Sequence, residues 1–433
     1  MNEILDAREQ RSNHVKELIS KYKYKTVVIM KANVPGINKN LMKMRFICNL
    51  YNTIIYDTFK EKIIDVGRIE SLDGNYIYYV IDEEGTLVKE KTIILEEENA
   101  LGRLIDIDVY NEKPISREDV SCEMRLCLIC NNYAHICGRN KTHSEEEIFG
   151  VIDDTINNYL LDFILMKTIK SIFAEVDLYP KFGLVSRKDS GSHTDMDYQT
   201  FVKSTLAIKP YLREYILEGL KDELNPLLLQ EIGQRAEKAM FRATDGVNTH
   251  KGLIFVLGLF LPVVTKSILL NKDKEYIKDE IKRISNVIIG DYYENMDIPA
   301  SHGDEVYLKY GFKGVRGEAL NGFSIVFDSP SFYNVDSVYR DIDYLISLMS
   351  ELDDTTILYR KGRETLDKVK LDMKEILTNG GYTNNKNQVN EISNQYKKEN
   401  ISPGGSADLL VLKIMFEELR YLLCGDNKNG ICL

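Results

Sequence analysis

The chain has 433 residues, more than one ordinary hydrophobic core supports, so we predict two domains. Apolar residues make up 44% of the sequence and charged residues 28%, a balance that excludes a disordered or fibrous protein. The formal net charge of −11 argues against broad binding to nucleic acid, although it is compatible with local basic pockets. An odd number of cysteines, seven, favours reduced thiols in a cytoplasmic protein over a secreted disulfide scaffold.

Neither a signal peptide nor a membrane partner is expected from the hydropathy pattern. The amino-terminal segment is polar and has helical spacing. The longest apolar run, residues 253–264, is interrupted by Gly258 and Pro262 and is too short to span a bilayer. We therefore predict a buried helix there.

Short β-rich runs separated by turns characterise residues 24–110. Apolar residues at helical spacing predict two helices, over 7–21 and 40–51. Runs of β-branched and aromatic residues predict five strands, at 26–30, 53–56, 76–81, 92–95 and 104–109. Together these elements predict an α+β domain.

Helical spacing replaces the strand-like runs after about residue 145. The predicted helices cover residues 145–173, 198–220, 226–241, 252–270, 336–350, 365–377 and 407–423. The Asn- and Lys-rich stretch 379–400 is predicted to be a surface excursion between helices. We therefore predict an all-α second domain, with a boundary near residues 144–152 and domains of 1–147 and 148–433.

Two carboxylates of the predicted strand 104–109 form the first candidate site. Asp106 and Asp108 are two residues apart, so a strand directs both to the same side of the sheet. Paired hard oxygen ligands are what Mg²⁺ needs when it binds a phosphoryl group. A solvated strand face would explain an isolated pair, but Gly102-Arg103 precedes this one. A loop at 34–39 also follows an earlier strand, where phosphate loops often lie.

A cysteine-rich segment follows the carboxylates. Three thiols and an imidazole lie close in sequence, at Cys127, Cys130, Cys137 and His143. They either close a tetrahedral Zn²⁺ site or are reduced cysteines that pack a small subdomain. Arg125, Arg139 and Lys141 interleave with them, which places the cluster beside an anionic substrate.

These motifs resemble the holo-citrate lyase synthase family, that is, apo-citrate lyase phosphoribosyl-dephospho-coenzyme A transferase. The matching residues are Pro35-Gly36, Lys39, Gly102-Arg103-Leu104, Asp106-x-Asp108-Val109, Arg125-x-Cys127-x-x-Cys130, Cys137, Arg139 and His143. The resemblance covers about the first third of the chain and implies a nucleotidyltransferase-like fold. It implies that a serine of the acyl carrier (gamma) subunit of citrate lyase attacks the innermost phosphate of a triphosphoribosyl group, releasing pyrophosphate. Asp106 and Asp108 would be the catalytic, Mg²⁺-binding pair. The substrate-binding residues would be Pro35, Gly36, Lys39, Gly102, Arg103, Arg125 and Arg139.

Three polar, glycine-bearing loops at predicted helix starts form the second candidate site. They cover residues 175–197, 240–252 and 402–408, and Asn248 or Thr249 could cap the helix that follows the second. Such loops suit phosphates, because backbone N–H groups and the helix dipole favour negative charge, although helix caps alone look the same. The counter-charge could come from Lys181, Arg187, Arg242, Lys251, Lys313, Arg316, Arg360 and Arg363. Mg²⁺ ligands or a base could come from His193, Asp195, Glu237, His250, Asp354 and Asp408.

The second set resembles triphosphoribosyl-dephospho-coenzyme A synthase. The matching residues are Pro180-Lys181-x-Gly183-Leu184-Val185, His193-x-Asp195-Met196, Glu237-x-x-Met240-Phe241, Thr244-x-Gly246-Val247-Asn248-Thr249-His250-Lys251-Gly252, Gly314-x-Arg316-Gly317 and Ser402-Pro403-Gly404-Gly405-Ser406-Ala407-Asp408-Leu409. The chain departs from the family at Phe182, where proline is usual, and at Thr356, to which no ligand role is therefore transferred.

This resemblance implies that ATP and 3′-dephospho-coenzyme A give 2′-(5-triphosphoribosyl)-3′-dephospho-coenzyme A and adenine. Asp195 or Glu237 would be the catalytic base. Mg²⁺ would be held by His193, Asp195, Asp354 and Asp408. The substrates would be bound by Lys181, Arg187, His193, Arg242, Asn248, His250, Lys251, Arg316, Arg360, Gly404 and Gly405.

The two resemblances reinforce each other, because the product of the second activity is the substrate of the first. Two rival hypotheses are an ADP-ribose-type hydrolase and a non-catalytic nucleotide-binding scaffold. Release of adenine only in the presence of dephospho-coenzyme A would separate the synthase from the hydrolase.

Overall fold

The computed structural model describes residues 2–36, 39–294, 296–332 and 337–423. The chain divides into two compact units. The first is built mainly from Met1–Leu160, and the second from Leu161–Ser267 and Lys272–Arg420. The two-domain expectation from chain length is therefore confirmed.

The first unit combines helices with a small antiparallel sheet. Its helices are α1 (Asn2–Lys21), α2 (Met42–Phe59), α3 (Gly85–Glu97) and α4 (Ala134–Asn140). Its strands are β1 (Thr26–Ala32), β2 (Ile63–Ile69), β3 (Tyr76–Ile81), β4 (Ile105–Tyr110) and β5 (Pro114–Ile115). They form one sheet in the order β2-β3-β1-β4-β5, with every neighbouring pair antiparallel.

Two of the five predicted strands are wrong. Residues 53–56 lie in α2 and residues 92–95 lie in α3, although both runs are β-branched. In α2 the buried residues Phe46, Leu50, Ile55 and Phe59 recur at helical spacing, and this longer pattern decides the conformation. Two strands were missed, β2 and the two-residue β5. β2 pairs with β3 at the sheet edge, is half exposed and has polar residues within it.

The register of β1 and β4 explains why one sheet face is polar. In β4, Ile105, Ile107 and Val109 are buried, while Asp106 and Asp108 point to the opposite face. Their antiparallel partners in β1 are Lys31 and Ile29, respectively. Farther along the same face, Val15 and Leu18 of α1 pack against Val27 and Ile29.

Every regular element among the described residues of the second unit is helical, as predicted. The long helix α5 (Glu145–Asp177) begins in the first unit and continues into the second. The helices that follow are α6 (Tyr198–Gly219), α7 (Pro226–Ala243), α8 (Lys251–Leu269), α9 (Lys274–Ile289), α10 (His302–Tyr310), α11 (Gly314–Leu320), α12 (Ser324–Phe327), α13 (Ser337–Glu351), α14 (Thr355–Lys361), α15 (Arg363–Thr378), α16 (Gly381–Asn384), α17 (Lys386–Lys398) and α18 (Gly404–Leu419). Seven of these helices were not predicted: α9, α10, α11, α12, α14, α16 and α17.

The expectation of a surface excursion at 379–400 is wrong. The segment forms α16 and α17, whose residues Val389 and Tyr396 are fully buried. The Tyr396 hydroxyl donates a hydrogen bond of 2.7 Å to Asp372 of α15. The abundant Asn and Lys side chains cover the outer face of an amphipathic helix. Because they outnumber its apolar residues, the overall composition of the segment does not reveal the buried face.

The apolar run around residues 253–264 lies in α8. By length and composition, α8 is the one helix among the described residues that could cross a membrane. About four fifths of its most apolar window is nevertheless buried within the structure (78%). The helix therefore packs in the core of the second unit, as predicted.

Candidate active sites

A cavity of about 850 Å³ lies in the second unit, and the first two residues of each of four helices line it. These turns contribute Lys251 and Gly252 of α8, His302 and Gly303 of α10, Thr355 and Thr356 of α14, and Gly404 and Gly405 of α18. The first N–H groups of a helix have no intrahelical partner, and the helix dipole adds a partial positive charge there. The backbone alone therefore makes this cavity suitable for an anion.

The start of α8 is built as predicted. The Asn248 side-chain oxygen accepts a hydrogen bond of 3.2 Å from the backbone N–H of Lys251. A Cβ atom at Gly252 would overlap a carboxylate oxygen of Asp408, which reaches this turn from α18. Burial, with added repulsion from Glu175 and Asp354, raises the pKa of Asp408 well above its usual value. Asp408 therefore retains its proton to a higher pH than an exposed aspartate.

Charged side chains of both signs line the cavity. The cations are Lys181, Lys251, Lys313, Arg316 and Arg360. The acids are Glu175, Asp195, Glu237, Glu305 and Asp408. The cations can bind a polyanion, and the acids can bind a divalent cation that accompanies it.

Three of these cations are held in place by acids. Lys181 lies 2.7 Å from Glu175, and both side chains are almost fully buried. Burial lowers the pKa of Lys181 and raises the pKa of Glu175. Lys251 lies 3.7 Å from Glu237. Arg316 makes a 2.9 Å ion pair with Asp304, whose side chain is fully buried.

His193 lies at the cavity wall between a hydroxyl and a guanidinium. Its Nε2 is 3.1 Å from the Ser402 hydroxyl, and its Nδ1 is 3.3 Å from an Arg360 nitrogen. Because a guanidinium only donates hydrogen bonds, Nδ1 accepts one and the ring proton resides on Nε2. Burial and the Arg360 charge lower the pKa of His193 to about 4, so the ring is neutral at neutral pH. Asp195 lies 3.7 Å from the same Nδ1.

His250 is more deeply buried and is also neutral. The Ser204 hydroxyl accepts a hydrogen bond of 2.7 Å from Thr249 and lies 2.6 Å from His250 Nδ1, within hydrogen-bonding distance. Phe201 contacts the ring edge-on, with centroids 5.0 Å apart. Burial lowers the pKa of His250 to about 3. The cavity therefore presents neutral imidazoles beside its permanent charges.

Four residues predicted for this site are not among those that line the cavity: Arg187, Arg242, Asp354 and Arg363, the last of which is exposed on α15. Arg187 is exposed and makes two hydrogen bonds, of 3.0 and 2.9 Å, to Asp177. Arg242 is also exposed. Asp354 caps α14, where its oxygens accept hydrogen bonds of 2.9 Å from the backbone N–H groups of Thr356 and Ser406. Their binding and metal roles remain predictions.

Sequence reasoning missed an aromatic pair at the cavity. The His302 ring of α10 stacks on Tyr359 of α14, with centroids 3.8 Å apart and an interplanar angle of 16°. The start of α10 could have been predicted from the sequence, because Ser301 is a typical N-cap residue and its side chain accepts a hydrogen bond from the backbone N–H of Asp304. Nothing in the sequence indicates that the pair would meet, because the two residues belong to different helices.

In the first unit, the predicted carboxylate pair lies on one face of β4. Asp106 is 3.8 Å from Lys31 of β1 and 3.7 Å from Arg125. Burial and the negative charge of Asp106 raise the pKa of Asp108. A divalent cation between the two carboxylates would offset this repulsion, which is the behaviour expected of a metal-binding pair.

A buried glutamate organises the arginines beside the pair. Glu96 of α3 lies 2.8 Å from Arg125 and 2.6 Å from Arg117, and it accepts a hydrogen bond of 3.0 Å from the Ile107 N–H. Glu96 therefore pairs with both Arg117 and Arg125. Gly102 packs against the end of α3, where a Cβ atom would lie 2.5 Å from the Glu96 carbonyl oxygen.

The loop after β1 carries one lysine, Lys39, and its role in substrate binding remains a prediction. Lys39 donates a hydrogen bond to the carbonyl of Val34, and burial together with the Arg8 charge lowers the pKa of Lys39. Gly36, which follows Pro35, has a φ of +77°, a conformation that favours glycine. Residues 37 and 38 lie outside the described residues.

Two more arginines near this loop were missed. Arg8 and Arg11 of α1 both pair with Asp73, whose side chain is almost fully buried. Arg139, which was predicted to bind substrate, is exposed on α4. Its role remains a prediction.

The cysteine-rich segment forms a compact cluster. The ligand atoms of Cys127, Cys130, Cys137 and His143 all lie within 4.8 Å of one another. Cys130 Sγ is 3.5 Å from Cys137 Sγ and 3.4 Å from His143 Nε2. The cysteines of the cluster are free thiols. The arrangement is chemically suited to a tetrahedral metal ion.

Comparison with known proteins gives each unit a family. The model of the apo-citrate lyase phosphoribosyl-dephospho-CoA transferase family, CitX, matches residues 1–159. The model of the ATP:dephospho-CoA triphosphoribosyl transferase family, CitG, matches residues 167–426, more than half of the chain.

Curated relatives show the same order of parts. Protein CitXG from Haemophilus influenzae is 31% identical over 447 aligned positions, and Protein CitXG from Leuconostoc mesenteroides subsp. cremoris is 30% identical over 453. In both cases the alignment covers 96% of this chain and 96% of the relative. A 2-(5″-triphosphoribosyl)-3′-dephosphocoenzyme-A synthase from Haemophilus ducreyi is 31% identical over 324 positions, covering 68% of this chain and all of the relative. Both resemblances seen in the sequence are confirmed. The chain belongs to the CitXG family, two-part transferases of citrate lyase prosthetic group biosynthesis.

Proposed function

We propose that the cavity of the second unit joins the ribose triphosphate of ATP to 3′-dephospho-coenzyme A, releasing adenine. The first unit then transfers phosphoribosyl-dephospho-coenzyme A to a serine of the apo acyl carrier (gamma) subunit of citrate lyase, releasing pyrophosphate. The observation that carries the proposal is the meeting of four helix starts and five cationic side chains around one cavity. A triphosphate is the part of the substrates that needs such an environment.

The first reaction replaces one bond at the ribose C1′ atom with another. The bond from C1′ to adenine N9 breaks, and a bond from C1′ to the 2′-oxygen of dephospho-coenzyme A forms. The hydroxyl proton passes to a carboxylate, and adenine takes up a proton as it leaves. Glu237 and Asp195 are the two bases proposed, and both line the cavity. Glu237 lies 3.7 Å from Lys251, and Asp195 lies 3.7 Å from Nδ1 of His193.

Immobilisation of the triphosphate accounts for the rest of the proposed site. The starts of α8 and α18 are proposed to lie beside the phosphates, with Lys251 and Arg360 supplying charge. Asn248 and Asp354 already accept hydrogen bonds from the Lys251 and Ser406 N–H groups there, so the helix dipoles and the other N–H groups would act on the phosphates. The carboxylates of Asp195 and Asp408 are proposed Mg²⁺ ligands. His193 would join them through Nδ1 once Arg360 gives up its hydrogen bond to that atom and binds phosphate instead. The stacked rings of His302 and Tyr359 offer an aromatic surface for adenine.

Transfer to the carrier is proposed at Asp106 and Asp108. A Mg²⁺ ion held by these carboxylates would polarise the innermost phosphate and offset the charge of departing pyrophosphate. The raised pKa of Asp108 supports the fit, because a nearby cation relieves the repulsion that raises it. Lys31 and Arg125 lie next to Asp106 and can meet phosphate oxygens.

We assign the transferase to residues 1–147 as a nucleotidyltransferase-like domain and the synthase to residues 148–433. A structural Zn²⁺ is assigned to the cluster of Cys127, Cys130, Cys137 and His143. The protein is expected to act in the cytoplasm on nucleotides and on the carrier, with neither nucleic acid nor membrane as a partner.

Mass spectrometry of the apo carrier tests the division of labour. The carrier is incubated with ATP, dephospho-coenzyme A and each variant, while adenine release is measured in parallel. Asp106→Asn is expected to stop carrier modification and leave adenine release intact, whereas Asp195→Asn or His193→Ala stops both. Asp82→Asn, at an exposed carboxylate in the first unit, is the matched control and should preserve both activities. Equal loss of adenine release in Asp106→Asn would overturn the assignment of two sites.

The same assay separates the synthase from a hydrolase acting at the same ribose carbon. Adenine release is expected only when dephospho-coenzyme A is present. Release at the full rate without it would favour the hydrolase.

A further inference from the structure

The cysteine cluster is carried by a tight hairpin. Its two sides are joined by hydrogen bonds from the Cys127 N–H to the Asn132 carbonyl, 2.6 Å, and from the Ala134 N–H to the Arg125 carbonyl, 2.8 Å. The N–H of Ile129 donates to Cys127 Sγ at 3.5 Å, the kind of contact that stabilises a metal-bound thiolate. Cys137 follows in α4, and His143 lies just beyond that helix.

The spacing of the ligand atoms fits a zinc ion. Atoms at roughly 2.0 to 2.3 Å from a tetrahedral centre lie roughly 3.3 to 3.8 Å from one another. The cluster has separations of 3.5 Å between Cys130 and Cys137 and 3.4 Å between Cys130 and His143. Four protein ligands complete a tetrahedron and leave no open position for substrate, so this would be a structural site.

The residues directly before Cys127 hold the transfer site in place. The Arg125 side chain donates a hydrogen bond of 2.6 Å to the Ile105 carbonyl at the start of β4, and it also pairs with Glu96. The Leu126 carbonyl accepts a hydrogen bond from Arg103. One hairpin end thus contacts two segments, the glycine-arginine turn and the strand that carries Asp106.

We propose that zinc at Cys127, Cys130, Cys137 and His143 fixes this hairpin and so positions Arg125 and Arg103 for transfer. The ion binds no substrate. The inference rests on the proposed transfer reaction at Asp106 and Asp108. It predicts that the metal affects the rate of transfer far more than adenine release.

Metal analysis of the full-length protein and a separate transfer assay test the inference. Purified wild type and Cys122→Ser are expected to contain stoichiometric zinc, and Cys130→Ser and His143→Ala are expected to lack it. Cys122 is a free cysteine outside the cluster and is therefore the matched control. Cobalt in place of zinc should give a thiolate charge-transfer band in wild type that is absent from Cys130→Ser. Wild type without zinc, or Cys130→Ser with full zinc, would overturn the site.

Transfer is assayed with preformed triphosphoribosyl-dephospho-coenzyme A and apo carrier. Loss of zinc should lower kcat roughly 10- to 100-fold, as expected for a supporting element, with little change in KM for the carrier. Arg125→Gln should keep zinc and show the same kcat loss, and Arg125→Lys should recover part of it. Adenine release should stay at the wild-type level in all these variants.

Reversible removal of the metal from wild type tests the same coupling without any substitution, so the test does not depend on the folding of a cysteine variant. Wild type stripped by a chelator should lose transfer and recover it when Zn²⁺ or Cd²⁺ is restored with Mg²⁺ present throughout. Full transfer by zinc-free protein would overturn the coupling while leaving the proposed function intact. Full transfer by Asp106→Asn would instead overturn the proposed function.

Discussion

At the scale of single residues, the cavity depends on imidazoles that stay neutral. Arg360 and Ser402 together fix the tautomer of His193, and Ser204 contacts Nδ1 of the buried His250. A charged imidazole at either place would add to the cations already present, and at His193 it would lose the hydrogen bond from Arg360. Burial therefore serves the chemistry of the site at the expense of stability in acid.

The first prediction follows from the low pKa of His193. Its folded value of about 4 lies below the usual 6.5, so between these values only the unfolded chain binds the proton. Stability is therefore lost as pH falls from 6.5 towards 4. Between pH 7 and pH 5, the free energy of unfolding of His193→Gln should therefore fall by roughly 2 kcal/mol less than that of wild type. Urea unfolding followed by circular dichroism at the two pH values measures this difference.

His302→Gln is the control, because its imidazole is exposed in the same unit. Acid should destabilise this variant as much as wild type. An equal acid loss in His193→Gln and wild type would contradict the assignment of a neutral, buried His193.

At the scale of elements, long amphipathic patterns were predictable and short β-branched runs were not. The helices from α5 to α8 were found at close to their observed bounds, because apolar residues recur at helical spacing over several turns. Residues 53–56 and 92–95 have high β propensity, but packing of the longer helices α2 and α3 overrides it. β2 was missed for the opposite reason, since Asp65, Gly67 and Arg68 interrupt its apolar pattern.

The second prediction concerns two helical glycines with different surroundings. In Gly252→Ala the new methyl group collides with Asp408, so we expect a loss of roughly 1 to 3 kcal/mol in unfolding free energy and slower adenine release. In Gly150→Ala nothing lies within 4 Å of the new methyl group, and the α5 helix should gain roughly 0.5 to 1 kcal/mol. Thermal unfolding and the adenine assay compare the pair. Destabilisation of the same size in both would mean that the contact with Asp408 is unimportant.

At the scale of the whole molecule, sequence identified the two chemistries but not how each site is assembled. Residues 251, 302, 355 and 404 begin helices far apart in the chain, and only tertiary packing brings those helix starts to one cavity. The positions of Lys31 beside Asp106 and of Arg11 beside Asp73 likewise depend on sheet register and on the packing of α1. No local pattern carries that information.

The third prediction uses the separation of the two activities. A mixture of Asp106→Asn and Asp195→Asn chains should modify the carrier, because each supplies the step that the other lacks. At low enzyme concentration the mixture should lag behind wild type, since the intermediate must accumulate in solution before it is captured. Mass spectrometry of the carrier over time measures the lag.

Excess unlabelled intermediate provides the control for direct transfer within one chain. It should suppress carrier labelling from ATP completely in the mixture. Complete suppression in wild type as well would show that the intermediate is always released. A mixture that never modifies the carrier, although each variant keeps its own half-reaction, would contradict independent sites.

The four helix starts around one cavity also have a consequence for how long the protein survives. Together with the cations of the cavity they would attract a bound phosphate chain, which the unfolded chain cannot hold in the same way. Such a ligand stabilises the native state by an amount that grows with the logarithm of its concentration. Proteolysis of transiently opened chains should therefore slow when ATP is abundant and accelerate when it is scarce. Substrate supply would then set not only the rate of catalysis but also the lifetime of the catalyst.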